Sequence, residues 1–126
     1  MSAARRLARF VVGLRLADVP PPAVAQATLL ALDTLGCALA AARYDFAKAV
    51  RETAERLGGP PESGLVGSKT RVSAANAALS NATLAHGLDF DDTREDAIVH
   101  TGSVVVPTSL AVAEAVGGSK RARTPS

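Results

Sequence analysis

The residue types best suited to acid–base chemistry are concentrated in one stretch of the chain, from His86 to Ser103. This stretch contains both histidines and five of the twelve acidic residues. Those acidic residues are Asp89, Asp91, Asp92, Glu95 and Asp96. Imidazole exchanges protons near neutral pH, and a neighbouring carboxylate can orient it. The pattern therefore indicates a proton-transfer site, with a solvated acidic loop as the alternative.

Three kinds of metal site can be compared with the same stretch. A calcium EF-hand loop beginning at Asp89 would need glycine and glutamate where the chain has Arg94 and His100, so it is excluded. Asp91 to Glu95 has the acidic spacing of a magnesium–diphosphate motif, but no second acidic motif accompanies it. A transition-metal site built from His and Asp has no defining ligand spacing here. We therefore predict no metal.

Covalent catalysis is not indicated by the remaining residues. Cys37, the only cysteine, lies in an Ala- and Leu-rich segment, where a buried cysteine behaves as a small apolar residue. No serine has the sequence context of a nucleophile elbow. A single cysteine also excludes a small disulfide-stapled module.

The elements that must position these residues are helical. Apolar periodicity predicts an all-α fold of about five helices, over residues 1–16, 23–42, 45–57, 74–88 and 107–116. Gly58–Arg71 reads as a connecting loop with one brief extended piece at Leu65–Val66. Ser73 is predicted to cap the fourth helix, and Pro107 is expected in the first turn of the fifth.

The second predicted helix has features of a closely packed central helix. A wide apolar stripe is formed by Leu29, Leu32, Leu35 or Gly36, and Leu39. Gly36 lies within that stripe, and glycine weakens a helix unless another backbone approaches it closely. Asp33 interrupts the apolar run before it reaches the length that a bilayer requires, so we predict no membrane contact.

Composition narrows the class of protein further. The 126 residues suit one domain or part of one, and 48% are apolar, 26 of them alanine, which predicts a core of small residues. Seven basic and all twelve acidic residues lie between Leu16 and Gly117, a net charge of −5. An acidic body with 3% aromatic residues argues against a nucleic-acid partner.

The basic N-terminal segment allows two interpretations. Its arginines precede the first acidic residue, Asp18, as in an amphipathic mitochondrial presequence; they are Arg5, Arg6, Arg9 and Arg15. Apolar residues also recur there at spacings of three and four, as in an ordinary first helix; they are Leu7, Phe10, Val11 and Leu14. We predict a cytoplasmic protein, with the mitochondrial matrix as the alternative for a eukaryotic source.

Several separate pieces of the chain resemble the N-terminal part of the MmgE/PrpD family. In chain order they are Arg6–Phe10, Asp18–Pro20, Leu32–Cys37, Asn81–His86, His86–Thr93 and His100–Gly102. The LDFDDT sequence with its downstream histidine is the most specific of them. The resemblance covers about Ala4 to Gly118.

The resemblance implies both a fold and an activity. The fold would be the N-terminal portion of a large all-helical domain, without the smaller α/β lid domain of that family. The activity would be that of a cofactor-independent lyase acting on small polycarboxylates, as in 2-methylcitrate dehydratase, cis-aconitate decarboxylase and iminodisuccinate epimerase. The family also implies a homodimer.

The resemblance further assigns roles to five residues. His100 would exchange a proton with the substrate, Asp89 would orient or polarise a catalytic partner, and Thr93 would hydrogen-bond a substrate carboxylate. His86 and Asp92 are candidate substrate-binding residues. The chain departs from the family at Ala82, where glycine is frequent, and at Thr101, where proline is frequent.

The end of the chain departs from the family more strongly. Residues 1–118 are predicted to form a partial family domain, and residues 119–126 a disordered, non-native basic tail. A second histidine, substrate-binding lysines and a tyrosine occur further along family members. We therefore expect a truncated lyase that is inactive as this fragment. The alternative is a non-catalytic helical module for dimerisation or binding.

Overall fold

The computed structural model describes the backbone of residues 1–121 and the side chains of residues 1–117. Its helices are α1 (Ala3–Gly13), α2 (Pro21–Ala41), α3 (Asp45–Leu57), α4 (Ala74–His86) and α5 (Thr101–Arg121). A 3-10 turn (Leu16–Asp18) follows α1, and two short strands, β1 (Ser63–Gly64) and β2 (Arg71–Val72), separate α3 from α4. Within this part of the chain, the five helices confirm the predicted all-α class.

Local signals position the ends of α2, α3 and α4. Pro21 occupies the first turn of α2, where its missing N–H costs nothing. Gly58 ends α3 with a φ of +60°, a backbone conformation that glycine adopts freely. The Ser73 side chain accepts a hydrogen bond from Asn76 N at 3.4 Å, as the predicted cap of α4 should.

Helix α5 is longer than predicted at both ends. It begins at Thr101, and the buried Pro107 lies inside it rather than in its first turn. The Asp92 carboxylate accepts a 2.7 Å hydrogen bond from Gly102 N, which caps the earlier start, and packing along α4 offsets the backbone bond that proline cannot make. Of the predicted tail, residues 119–121 form the end of α5, and residues 122–126 lie outside the described residues.

The segment between α3 and α4 forms a small hairpin that is tied to the helices. Strands β1 and β2 pair antiparallel, with Ser63 opposite Val72. Strand β1 therefore lies just before Leu65–Val66, where the sequence predicts the extended piece. The buried Ser63 hydroxyl donates a 2.6 Å hydrogen bond to Ala111 O in α5. The Asn81 side chain of α4 accepts from Val66 N at 2.8 Å and donates to Gly64 O at 3.0 Å. These bonds hold the hairpin against α4 and α5.

The core consists of small residues, as composition predicted, and α4 is its centre. Helix α4 packs against α2, α3 and α5. The buried apolar residues are Ala38, Ala41, Ala47, Ala54, Leu65, Val72, Ala77, Leu84, Ala85 and Ala111. Alanine allows helix backbones to approach closely, which brings the ends of α4 and α5 together.

The prediction of a closely packed α2 is wrong for the described residues. Leu35 of the stripe is half-buried, but Leu29, Leu32 and Leu39 are exposed. The residues that α2 buries are Thr34, Ala38 and Ala41. No described atom would lie within 4 Å of a Cβ at Gly36. By length and hydropathy α2 could cross a membrane despite Asp33. A signal sequence near the N-terminus and the core helix of a soluble protein pass the same test, so the absence of a membrane partner stays a prediction.

Candidate acid–base site

The packing of α4 along α5 brings the two histidines together. His86 is the last residue of α4, and His100 directly precedes α5. Their ring centroids are 4.6 Å apart, with the rings tilted by 56°. A Cβ at Gly87 would overlap the Phe46 ring of α3, so glycine is required where the chain leaves α4. The intervening residues, 87–99, form the loop that carries the acidic residues.

A left-handed turn at Asp89 determines which acidic side chain enters the protein. Asp89 has a φ of +57°, which aspartate tolerates better than most residues. Beyond this turn, Phe90 is 78% exposed and the Asp91 side chain is fully buried. The polar residue therefore occupies the interior, and the aromatic residue faces solvent.

Asp91 lies between the two imidazoles. Its Oδ1 is 3.0 Å from His86 Nδ1 and 3.5 Å from His100 Nδ1. Burial by itself raises the pKa of the Asp91 carboxyl, but hydrogen bonds from His86 and Ser103 outweigh burial, so its pKa is below the usual range of aspartate. Asp91 is therefore held as a carboxylate at neutral pH.

The two nitrogens of His100 have different surroundings. Nδ1 is buried, and no described residue forms a hydrogen bond with it. Nε2 is 3.8 Å from Asp89 Oδ1, and the Asp89 side chain is 81% exposed. The ring thus has a buried edge toward Asp91 and a second edge toward an accessible carboxylate.

The structure brings together His86, Asp89 and His100 of the five predicted site residues. Asp92 binds Gly102 N of α5 and so positions the helix that follows His100. Thr93 is exposed, and no described group is hydrogen-bonded to its side chain. Arg94 closes the outer part of the loop through a backbone bridge to Val99 and an ion pair with Asp96.

Asp91 and Ser103 are site residues that the sequence analysis did not select. The acidic run offered several equivalent carboxylates, and no sequence signal marked Asp91 as the inward-facing one. Ser103 is buried one turn into α5, and its hydroxyl donates to His100 O at 3.1 Å. Burial, followed by the charges of Asp33 and Asp91, raises the pKa of the Cys37 thiol, which disfavours a nucleophilic thiolate.

Both imidazoles line an open groove of about 580 Å³. Its walls are mainly apolar and consist of Phe46, Ala82, Thr83, His86, Gly87, Ile98, Val99, His100, Ser103 and Val104. None of these lining residues is Lys or Arg, so the described part of the groove offers no cationic side chain to an anionic ligand.

The same cluster could hold a metal ion. His86, Asp89, Asp91 and His100 each place one donor atom within 4.8 Å of the others. Imidazole nitrogen and carboxylate oxygen are suitable ligands for several divalent metals. This arrangement is common to cation sites and to proton-transfer sites, and the absence of a metal stays a prediction.

The described residues thus form a helical domain in which a buried carboxylate and two imidazoles meet at an open groove. The chain belongs to the MmgE/PrpD family, because the family model described as the MmgE/PrpD N-terminal domain matches residues 5–123. This match continues past Gly118, the last residue of the resemblance seen in the sequence.

Two curated relatives are similar to this chain. They are a cis-aconitate decarboxylase of Aspergillus terreus and a cis-aconitate decarboxylase of A. terreus strain NIH 2624 / FGSC A1156. Each is 25% identical over 97 residues, which are 77% of this chain and 20% of the relative. The chain therefore spans about a fifth of the length of these relatives. No solved structure matches it.

Proposed function

We propose that this chain contributes the proton-transfer part of the active site of a lyase that acts on small polycarboxylates. The observation that carries the proposal is the position of His100 at the groove, with Asp91 behind its ring and Asp89 beside Nε2. Family membership and the similarity to cis-aconitate decarboxylases support the reaction class. No cofactor is required by this proposal.

The proposed chemistry is proton exchange at a substrate carbon or leaving oxygen. In a decarboxylation, the C–C bond breaks, CO2 leaves, and the electron pair left on carbon takes a proton, which protonated His100 can supply. In a dehydration, the base removes a C–H proton and the hydroxyl leaves as water after receiving another. Asp89 would orient or polarise a catalytic partner, and the Thr93 hydroxyl would donate a hydrogen bond to a substrate carboxylate.

The charge of the site supports a further part of the proposal, that the 126 residues alone turn over little or no substrate. Asp89 and Asp91 place negative charge beside the imidazoles that line the groove, and the described lining contains no Lys or Arg side chain. Arg94, the nearest basic residue in sequence, is paired with Asp96. A polycarboxylate would be repelled by such a surface unless cationic groups from elsewhere compensate.

The test uses the full product of the gene, whose mass is first measured in protein from the source cells. Release of CO2 from cis-aconitate and loss of water from 2-methylcitrate are followed for the wild type, His100→Gln and the matched loop control Asp96→Asn. We expect His100→Gln to lower kcat by about 100-fold or more with little change in melting temperature, as loss of a general acid or base does. Equal activity of His100→Gln and wild type would overturn the assignment.

A second candidate function is a helical dimerisation module, favoured by the exposed apolar face of α2. Leu29, Leu32 and Leu39 are all more than half exposed. Helix α1, all of which the structure describes, contains no buried residue. Sedimentation of the 126-residue chain and of its Leu32→Lys variant measures the oligomeric state directly. A dimer that Leu32→Lys dissociates, together with no turnover by the full gene product, would favour this function over the lyase.

A further inference from the structure

Both imidazoles present the same ring nitrogen to the same buried carboxylate. His86 Nδ1 is 3.0 Å from Asp91 Oδ1 and 3.3 Å from Oδ2, within hydrogen-bonding distance of both oxygens. His100 Nδ1 is 3.5 Å from Oδ1 and is buried. In neutral imidazole one nitrogen carries the proton and the other is a lone-pair acceptor, so these contacts bear on which tautomer each ring adopts.

Electrostatics selects the tautomer of each ring. A lone pair on Nδ1 would face a buried carboxylate, whereas an N–H there is attracted to it. For His100 the competing carboxylate is Asp89, 3.8 Å from Nε2 and 81% exposed. Water screens the interaction with Asp89, but the fully buried Asp91 is screened much less. The buried carboxylate therefore decides the position of the proton.

We propose that Asp91 is a positioning residue that holds both His86 and His100 as Nδ1–H tautomers. Each ring then offers its Nε2 lone pair as the proton acceptor. Both rings line the same groove. The inference rests on the proposed function only in assigning a substrate proton to His100; the tautomers themselves are a property of the folded chain.

A carboxylate can satisfy both rings at once. Its two oxygens provide about four acceptor positions, enough for two imidazole N–H groups. In the structure Asp91 is within hydrogen-bonding distance of His86 Nδ1 at the end of α4, and its Oδ1 lies 3.5 Å from His100 Nδ1 at the start of α5. The Ser103 hydroxyl donates to His100 O.

The test is nitrogen NMR of the imidazole rings in the 126-residue chain labelled with 15N. The chain contains only two histidines, so the spectrum shows two rings, and His86→Gln assigns them. Spectra are recorded at about pH 8.5, where imidazole is neutral, with a chelator present to exclude metal binding. We expect protonated Nδ1 and unprotonated Nε2 in both rings of the wild type.

The variant Asp91→Asn keeps the shape of the side chain and removes its charge. We expect the ratio of Nδ1–H to Nε2–H in His86 to fall about tenfold, the factor that corresponds to loss of a charge-assisted hydrogen bond. Asp96→Asn, which removes an exposed carboxylate of the same loop, should leave both rings unchanged. If Asp91→Asn does not fold, the wild-type spectrum still shows which tautomer each ring adopts and so tests the proposal.

A predominant Nε2–H tautomer in either wild-type ring, or identical ratios in wild type and Asp91→Asn, would overturn the inference. Failure of the proposed function can be told apart from failure of this inference, because an inactive full-length product would not change the ring spectra.

Discussion

Replacing Gly102 with alanine should destabilise the protein strongly, although alanine is the better helix former. A Cβ at Gly102 would overlap the Asp92 carboxylate and lie 2.8 Å from Thr34 Oγ1. Thr34 is buried, and its hydroxyl donates to Leu30 O at 2.8 Å, so it cannot easily give way. Moving Asp92 would break its 2.7 Å bond to Gly102 N.

The expected loss of stability combines two destabilising effects and one stabilising effect. Overpacking costs about 1–3 kcal/mol, and loss of a hydrogen bond to a charged group costs about 1.5–3 kcal/mol. The gain from alanine in a helix is about 1 kcal/mol. We therefore expect the free energy of unfolding to fall by about 1.5–5 kcal/mol.

The assay is urea unfolding followed by helical circular dichroism, with Gly36→Ala as the matched control. No described atom lies within 4 Å of a Cβ at Gly36, so that variant should gain about 0.5–1 kcal/mol. For Gly102→Ala the midpoint should fall by about 1–2 M urea. The double variant Gly102→Ala, Asp92→Ala should lose less than the sum of its single variants, because Asp92 is the obstructing group. A Gly102→Ala protein as stable as Gly36→Ala would refute the argument.

Two further predictions concern the core and the buried carboxylate. Leu84→Ala, at a fully buried position of α4, should cost about 2–5 kcal/mol in thermal or urea unfolding, whereas Leu79→Ala on the exposed face should change stability by less than about 0.5 kcal/mol; similar effects of both would contradict the assigned core. Because the pKa of Asp91 is lowered in the folded state, its contribution is fully present above the unfolded value of about 3.9 and is lost as the pH falls through the folded value. Asp91→Asn should therefore lose less stability than wild type as the pH falls below about 4, and parallel pH profiles of the two proteins would disprove this.

Short-range signals explain the parts of the fold that could be predicted. The bounds of α3, Asp45–Leu57, agree with the prediction, because Gly58 stops the helix through its own backbone freedom. Ser73 caps α4 as expected, since the capped N–H belongs to a residue three positions away. The all-α class and the core of small residues follow directly from composition and periodicity.

Longer-range interactions explain where prediction failed. Helix α5 begins six positions before Pro107 because its capping carboxylate, Asp92, is ten residues away and reaches it only through the folded loop. The leucines of α2 were expected inside, but apolar periodicity identifies a face and not what covers it. The described residues place Thr34, Ala38 and Ala41 inward instead.

For the candidate site, too, some features follow from the sequence and others only from the tertiary structure. The sequence alone determined that both histidines and five carboxylates lie within one segment, and it identified the family. Only the tertiary structure decided that Asp91, rather than its acidic neighbours, is buried between the rings. That choice depends on the turn at Asp89 and on α4 packing along α5, so it arises from contacts between residues that are distant in the chain. A carboxylate's role is set by the dielectric and the partners around it, and these exist only after folding.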